Sequence, residues 1–175
     1  MKFDLEKSIQ ILERTPLVVE DMLKGLDDEW IHATEGNNTW SPFDVVGHYI
    51  QGEKTDWIPR MQIILGKGSK KFEVFDRTKM FEDSKGKNLS QLIGEFKSLR
   101  KQNLEILSHT RLDEETLGMT GIHPEFGEVT LKQMLSAWVT HDLAHLVQIS
   151  RVMAKQHKAE IGPWTKYFSV FNDPL

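Results

Sequence analysis

Two histidines stand four residues apart in the run His141-Asp142-Leu143-Ala144-His145-Leu146-Val147-Gln148. On a helix, that spacing sends both imidazoles from one face about one turn apart, close enough to share a metal ion at roughly 2.0–2.1 Å. The spacing alone is common; position sharpens it. Both histidines interrupt a stripe that Trp138 and Ile149 mark as core-facing. A buried imidazole must satisfy two ring nitrogens, and two neighbouring imidazoles disfavour each other's protonation. A shared ion meets both demands. The alternative is a pair of core histidines bonded to backbone carbonyls and a carboxylate. The chain has no cysteine, which excludes thiolate ligands, disulfides and a cysteine nucleophile, and leaves histidine and carboxylate as its strong metal ligands.

A fixed site needs a third protein ligand from another element. His48 is the best candidate, lying between Val45 and Gly52 in a second helical segment, where Gly52 leaves room for a close approach. His32 and His123 lie in connections, His109 closes a helix where a cation suits the dipole, and His157 follows Lys155 near another helix end. For these four the structural reading is preferred. Among groups that can assist, Gln148 falls in line with His141 two turns on, either to orient a bound group or as a core amide. Asp142 points about 100° away from His141, either to hold a ligand histidine from behind or as a surface carboxylate. Glu53 and Asp56 are possible acids or bases, although a solvated helix face explains them more simply.

Four amphipathic segments must position these residues. The first helix is predicted over Leu5–Leu26, with Leu5, Ile9, Leu12, Pro16, Val19, Leu23 and Leu26 on one face and a kink at Pro16. The second opens at Ser41-Pro42-Phe43-Asp44, with Ser41 as N-cap, Pro42 at the first helical position, and Trp40 and Val45 as a hydrophobic staple. It runs to about Leu65, with Gly66 as its stop and a bend at Pro59. The third covers Leu89–Leu107 with Leu92, Phe96, Leu99, Asn103 and Ile106 on one side. The fourth opens on the Thr130-x-x-Gln133 capping box and runs to about Ala154. A short last helix after Gly162-Pro163 is expected to bury Trp164, Phe168 and Phe171. With no clear strand alternation, the expected fold is all-α, an antiparallel four-helix bundle forming a single domain over residues 1–175. The connection over 66–88 is long, and either carries a short element at Phe72-Glu73-Val74-Phe75 or acts as a lid.

The overall balance is that of an ordinary globular chain. With 22 basic and 26 acidic residues the formal charge is −4, so no strong field recommends nucleic acid or an anionic membrane as partner. The lysines of Lys67-Gly68-Ser69-Lys70-Lys71 read as a solvated loop. No apolar run reaches the length of a signal or a membrane span, so a cytoplasmic location is expected.

Several motifs resemble the DinB superfamily, which includes YfiT-like proteins. They are the Thr39-Trp40-Ser41-Pro42 entry, Gly47-His48, the Phe126-Gly127-Glu128-Val129-Thr130 lead-in, the His141 to Gln148 run, and Gly162-Pro163-Trp164. The likeness covers nearly the whole chain in motif order and approximate spacing. It implies a four-helix bundle with a long crossover, frequent homodimers, and a three-histidine divalent metal site, often zinc or nickel, whose ligand positions here are His48, His141 and His145. Characterised relatives of this kind include S-transferases that use low-molecular-weight thiols. The expected function is therefore a metal-dependent enzyme on a small molecule, thiol transfer first and hydrolysis next, with a non-catalytic metal-binding or stress-response protein as the alternative. Other readings fit less well. His141-Asp142-x-x-His145 has a shortened carboxylate where zinc peptidases carry their general base. The gap back to His48 does not suit HD phosphohydrolases, and the single Glu29-Trp30-Ile31-His32 does not make a di-iron bundle.

Overall fold

A computed structural model describes residues 2–171. In chain order its elements are α1 (Leu5–Leu23), α2 (Asp28–His32), α3 (Pro42–Thr55), α4 (Trp57–Leu65), α5 (Lys79–Ser84), α6 (Leu89–His109), α7 (Glu114–Gly118), the hairpin β1 (Thr120–His123) and β2 (Gly127–Thr130), and α8 (Leu131–Lys155). Two 3₁₀ turns, Gly162–Tyr167 and Ser169–Phe171, follow. No helix among the described residues is long and apolar enough to cross a membrane.

The four-helix bundle is present, and its neighbours follow an unusual order. α1 packs on α6 and α8, and α3 packs on the same two, so α1 and α3 occupy opposite corners. Side-chain pairs give the directions. Glu20 meets Lys97 while Leu12 meets Arg100, so α1 and α6 run antiparallel. Tyr49 stacks on Phe96 while Glu53 meets Arg100, so α3 and α6 run parallel. His48 meets His141 while Glu53 meets Trp138, so α3 and α8 run antiparallel. Two adjacent helices that point the same way cannot be joined by a tight turn, because the chain must return along the bundle first. That return is the long connection over 66–88.

The crossover is anchored where it begins. Lys70 donates to the last carbonyls of α4, at Ile63 and Ile64, and to that of its C-cap Gly66. This lysine is therefore a helix cap, and not part of a solvated cluster. Lys71 then forms an isolated parallel bridge with Ile122 of β1, through Phe72 N–H to the Ile122 carbonyl at 2.9 Å and Ile122 N–H to the Lys70 carbonyl at 2.7 Å. Phe72 drops into the core, and Gly121 makes room for it: a Cβ there would stand 2.4 Å from the ring. The expected short element near Phe72 is this bridge, and the hairpin it joins carries too few residues for its alternation to be read from sequence.

Two prolines act differently from one another. The bend expected at Pro59 appears as a break at Asp56, which ends α3 and begins α4. Pro59 lacks an N–H and its ring clashes with the carbonyl four residues back, so the helix yields one turn before it. Pro16 stays inside a continuous α1. Its missing N–H frees the Leu12 carbonyl, and Arg100 Nη1 donates to that carbonyl at 2.6 Å. The first helix ends at Leu23, with Gly25 at φ +81 turning the chain toward α2. The Ser41 and Thr130 capping boxes both form. At the C-terminal end Trp164 is 62% and Phe168 50% exposed, which corrects the expectation that they are buried; Ser169–Phe171 packs on α8 as a 3₁₀ turn.

Apolar burial occurs in two clusters, one around Trp57, Trp138 and Leu135, the other around Tyr49, Phe96 and Ile149. Each fully buried large side chain stabilises the fold by about 1.5–3 kcal/mol. Between these clusters sit the ionised groups that hold the site.

Candidate metal centre

His48 on α3 and His141 and His145 on α8 converge. Their ligand atoms lie within 4.8 Å of one another, and His48 Nε2 stands 2.9 Å from His141 Nε2. His145 completes the cluster, with ring centroids 4.6 Å from His48 and 4.4 Å from His141. The antiparallel run of α3 against α8 brings them together, and Tyr49 O–H fixes it by donating to the Asp142 carbonyl at 2.8 Å. Burial raises the Tyr49 hydroxyl well above its ordinary pKa, so it stays a donor.

These residues fit a divalent ion. Burial, then the neighbouring imidazoles, pushes His48 down to about 2; burial, then His141, pushes His145 down to about 4. Both rings are neutral at pH 7, as metal ligation requires. In a cluster without an ion the Nε2 atoms of His48 and His141 face each other, and the Nδ1 atoms of both are buried without a hydrogen-bond partner. Two nitrogens held at 2.0–2.1 Å around a tetrahedral ion stand about 3.3 Å apart, near the separation seen. Three imidazole ligands suit zinc, nickel or a similar borderline ion.

Groups behind the imidazoles orient them. His145 Nδ1 meets Gln148 Oε1 at 2.7 Å; the carbonyl oxygen accepts, so the ring carries its proton on Nδ1 and offers Nε2 forward. Gln148 therefore stands behind a ligand. Asp142 is fully buried, with Oδ1 3.8 Å from His141 Nδ1. Its carboxyl stays below the usual range despite burial, because His141 and Arg100 favour the anion.

Arg100 ties this arrangement to α1 and α3. Its Nη1 and Nη2 donate to both Asp142 oxygens at 2.6 and 3.0 Å, and its Nε and Nη2 donate to Glu53 Oε1 at 3.0 and 2.7 Å. With the Leu12 carbonyl, all five guanidinium protons are used. Trp138 Nε1 and Asn103 Nδ2 complete the shell of Glu53. Glu53 is thus 2% exposed and held as a buried ion pair, which corrects both its solvated reading and its candidacy as an acid or base. Asp56 lines the site instead. Arg100 was hidden from the apolar stripe of α6. The buried face runs Leu92, Phe96, Arg100, Asn103, Leu107, whereas Ile106 is 40% exposed. Steps of four and three from Phe96 to Asn103 pass through position 100, and that was the available signal.

The forward face of the triad opens into a cavity of about 770 Å³. Trp40 lies 4.8 Å from the His48 ring, Trp57 5.1 Å from His141, and Phe75 5.4 Å edge-on to His48. Asp56, Arg60, Arg77, His123 and Phe126 also line it. The crossover and the hairpin supply half of this wall, so His123 is a cavity residue and not one of a passive connection; the remaining three histidines outside the triad do not line this cavity.

The fold has a known counterpart. YfiT from Bacillus subtilis, described as "a probable metal-dependent hydrolase with an unusual four-helix bundle topology", superposes with a TM-score of 0.68 at 21% identity, over 85% of this chain and 87% of that one. No curated protein matches the chain. Residues 11–149, which contain His48, both α8 histidines and the Arg100 network, match the DinB superfamily, and the chain belongs to that family.

Proposed function

We propose that this protein is a divalent-metal-dependent enzyme acting on a small molecule, by transfer to a low-molecular-weight thiol. The observation that carries the reading is that three imidazoles converge in an open cavity large enough for a small organic molecule. A closed, dry site would instead support a structural ion. With three protein ligands, a bound zinc or nickel ion keeps an open position and supplies Lewis acidity that lowers the pKa of a thiol or water and polarises a carbonyl. Since the chain has no cysteine, any thiol must arrive from solution.

The protein's own groups then bind and exclude water. Trp40, Trp57 and Phe75 form apolar walls around the triad and hold the body of the substrate. Gln148 keeps the His145 imidazole aimed, and Asp142 sets a negative charge behind His141. Asp56, whose pKa burial raises against the opposing pull of Arg60, is a carboxyl in the wall able to take or give a proton. That carboxyl also favours a second reading, hydrolysis, which the description of YfiT supports.

The test begins with elemental analysis of protein purified without added metal. Cobalt- or nickel-loaded protein is then titrated with a panel of low-molecular-weight thiols, followed by sulfur-to-metal charge-transfer absorption, and screened against alkylating electrophiles and esters. Thiol-dependent bands together with turnover of an electrophile are expected. If no thiol perturbs the spectrum, the transferase reading fails; ester turnover then leaves hydrolysis, and a loaded but inert protein leaves non-catalytic metal binding.

A further inference from the structure

The cavity that holds the triad has a second polar pole, built from the hairpin and α4. The turn between β1 and β2 folds back on His123, and the backbone N–H groups of Glu125 and Phe126 both donate to His123 Nδ1, at 3.1 and 3.3 Å. A backbone N–H can only donate, so Nδ1 is the acceptor and the ring proton resides on Nε2. The ring is held flat against Phe126, with centroids 4.5 Å apart and planes at 14°, and edge-on to Phe72 at 6.3 Å. Nε2–H is left as the free polar group of a side chain that lines the cavity.

Arg60 lies beside it. Its guanidinium sits over Phe72, 5.3 Å from the ring centroid; burial, then this cation, disfavours a charge on His123, against the opposing pull of the Glu125 carboxylate. Its side chain is only 10% exposed, yet it makes a single ion pair, Nη2 to Asp56 Oδ1 at 3.0 Å, and no other hydrogen bond with the described residues. Arg60 and His123 line the same cavity, and the remaining N–H groups of this nearly buried guanidinium have no partner among the described residues. Arg77, on the crossover, also lines the cavity and pairs with no carboxylate among the described residues, but it acts on His48 of the triad; its neighbour Asp76 accepts from Thr78 and Lys79. The fixed His123 donor and the Arg60 guanidinium match an acceptor with two oxygens and one negative charge.

We propose that His123 Nε2–H and Arg60 form a carboxylate-recognition pole, so that the substrate is a small carboxylic acid with an apolar or aromatic body. The body lies against Trp40, Trp57 and Phe75, and the carboxylate end lies at His123 and Arg60. This deepens the enzyme reading above, on which it rests for the word substrate, while the binding it describes is measurable without turnover.

The probes are phenylacetate and phenylacetamide, equal in size and differing in charge. They are titrated against metal-loaded and chelated protein, with tryptophan fluorescence and the ¹⁵N shifts of labelled histidines as readouts. In chelated protein, phenylacetate is expected to bind roughly tenfold or more tightly than the amide and to move His123 Nε2, leaving His109 and His157 unmoved. His123→Phe keeps the stack on Phe126 and should abolish the preference. His123→Gln, whose amide can accept from the turn and still donate, should restore most of it. Equal binding of the two probes to chelated protein overturns the proposal, as does an unchanged preference in His123→Phe. A preference that appears only with metal and ignores His123→Phe places the carboxylate on the ion and also overturns it. Turnover assays judge the enzyme reading separately, so a protein without activity that still selects phenylacetate through His123 sinks that reading and leaves this one standing.

Discussion

Replacing Arg100 by Met removes the cation that two buried carboxylates share. Glu53 and Asp142 are 2% and 0% exposed, and neither has another cationic partner at hydrogen-bond distance. The carboxyls can escape by taking up protons. At pH 7 this costs about 1.4 kcal/mol per unit between solution pH and the ordinary carboxyl pKa, or roughly 4 kcal/mol for each. Neutralising one or both therefore sets a penalty of about 4–8 kcal/mol, against a total stability of about 5–15 kcal/mol for a domain of this kind. Urea unfolding of the chelated protein, followed by helical circular dichroism, measures it. The sign with pH is distinctive. Carboxyls raised in the folded variant bind protons that the unfolded chain does not, so its stability deficit against the chelated parent at the same pH should shrink as pH falls from 7 to 5, by about 1.4 kcal/mol per unit for each proton taken up. The triple variant Glu53→Gln, Arg100→Met, Asp142→Asn carries no buried charge and should be markedly more stable than Arg100→Met alone. A single-variant cost below about 1 kcal/mol, or a triple variant no better than the single, would refute this account of the network.

Single Ala replacements of His48, His141 and His145 should each lower metal content strongly, as measured by elemental analysis, and unchanged occupancy in one of them removes that residue from the site. Chelation should lower the melting temperature while leaving helical circular dichroism largely intact, because the helices bury their core unaided; complete unfolding on chelation at room temperature would show a structural metal instead. In chelated protein the unfolded chain takes protons at imidazoles near pH 6.5, whereas folded His145 and His48 resist until about 4 and about 2. Stability should thus fall as pH drops below about 6.5, by roughly 1.4 kcal/mol per unit for each histidine, and a flat urea midpoint between pH 7 and 5 would contradict it. Gly121→Ala places a methyl 2.4 Å from Phe72, and should cost about 1–3 kcal/mol in urea unfolding while shifting the hairpin that carries His123.

Much of this architecture was legible in the order of residues. Apolar spacing at 3.6 residues per turn marks the four long helices, and the Ser41 and Thr130 capping boxes mark two of their starts, because both signals depend on groups within a few positions of one another. The i, i+4 pair of His141 and His145 is local in the same sense. That His48 meets them is a matter of helix packing, and its position on a buried face only made it the best candidate. Tertiary structure alone decided three things. The order of neighbours around the bundle, with α3 parallel to α6, depends on where the 66–88 crossover lies. The ionised core joins Leu12, Glu53, Arg100 and Asp142 from four different helices, so no short window of sequence contains it. The far wall of the cavity is made by a crossover and a hairpin whose residues, His123 among them, look in sequence like connections. Local chemistry sets a helix and its face, whereas a site lined by several elements exists only once long-range packing has placed them together.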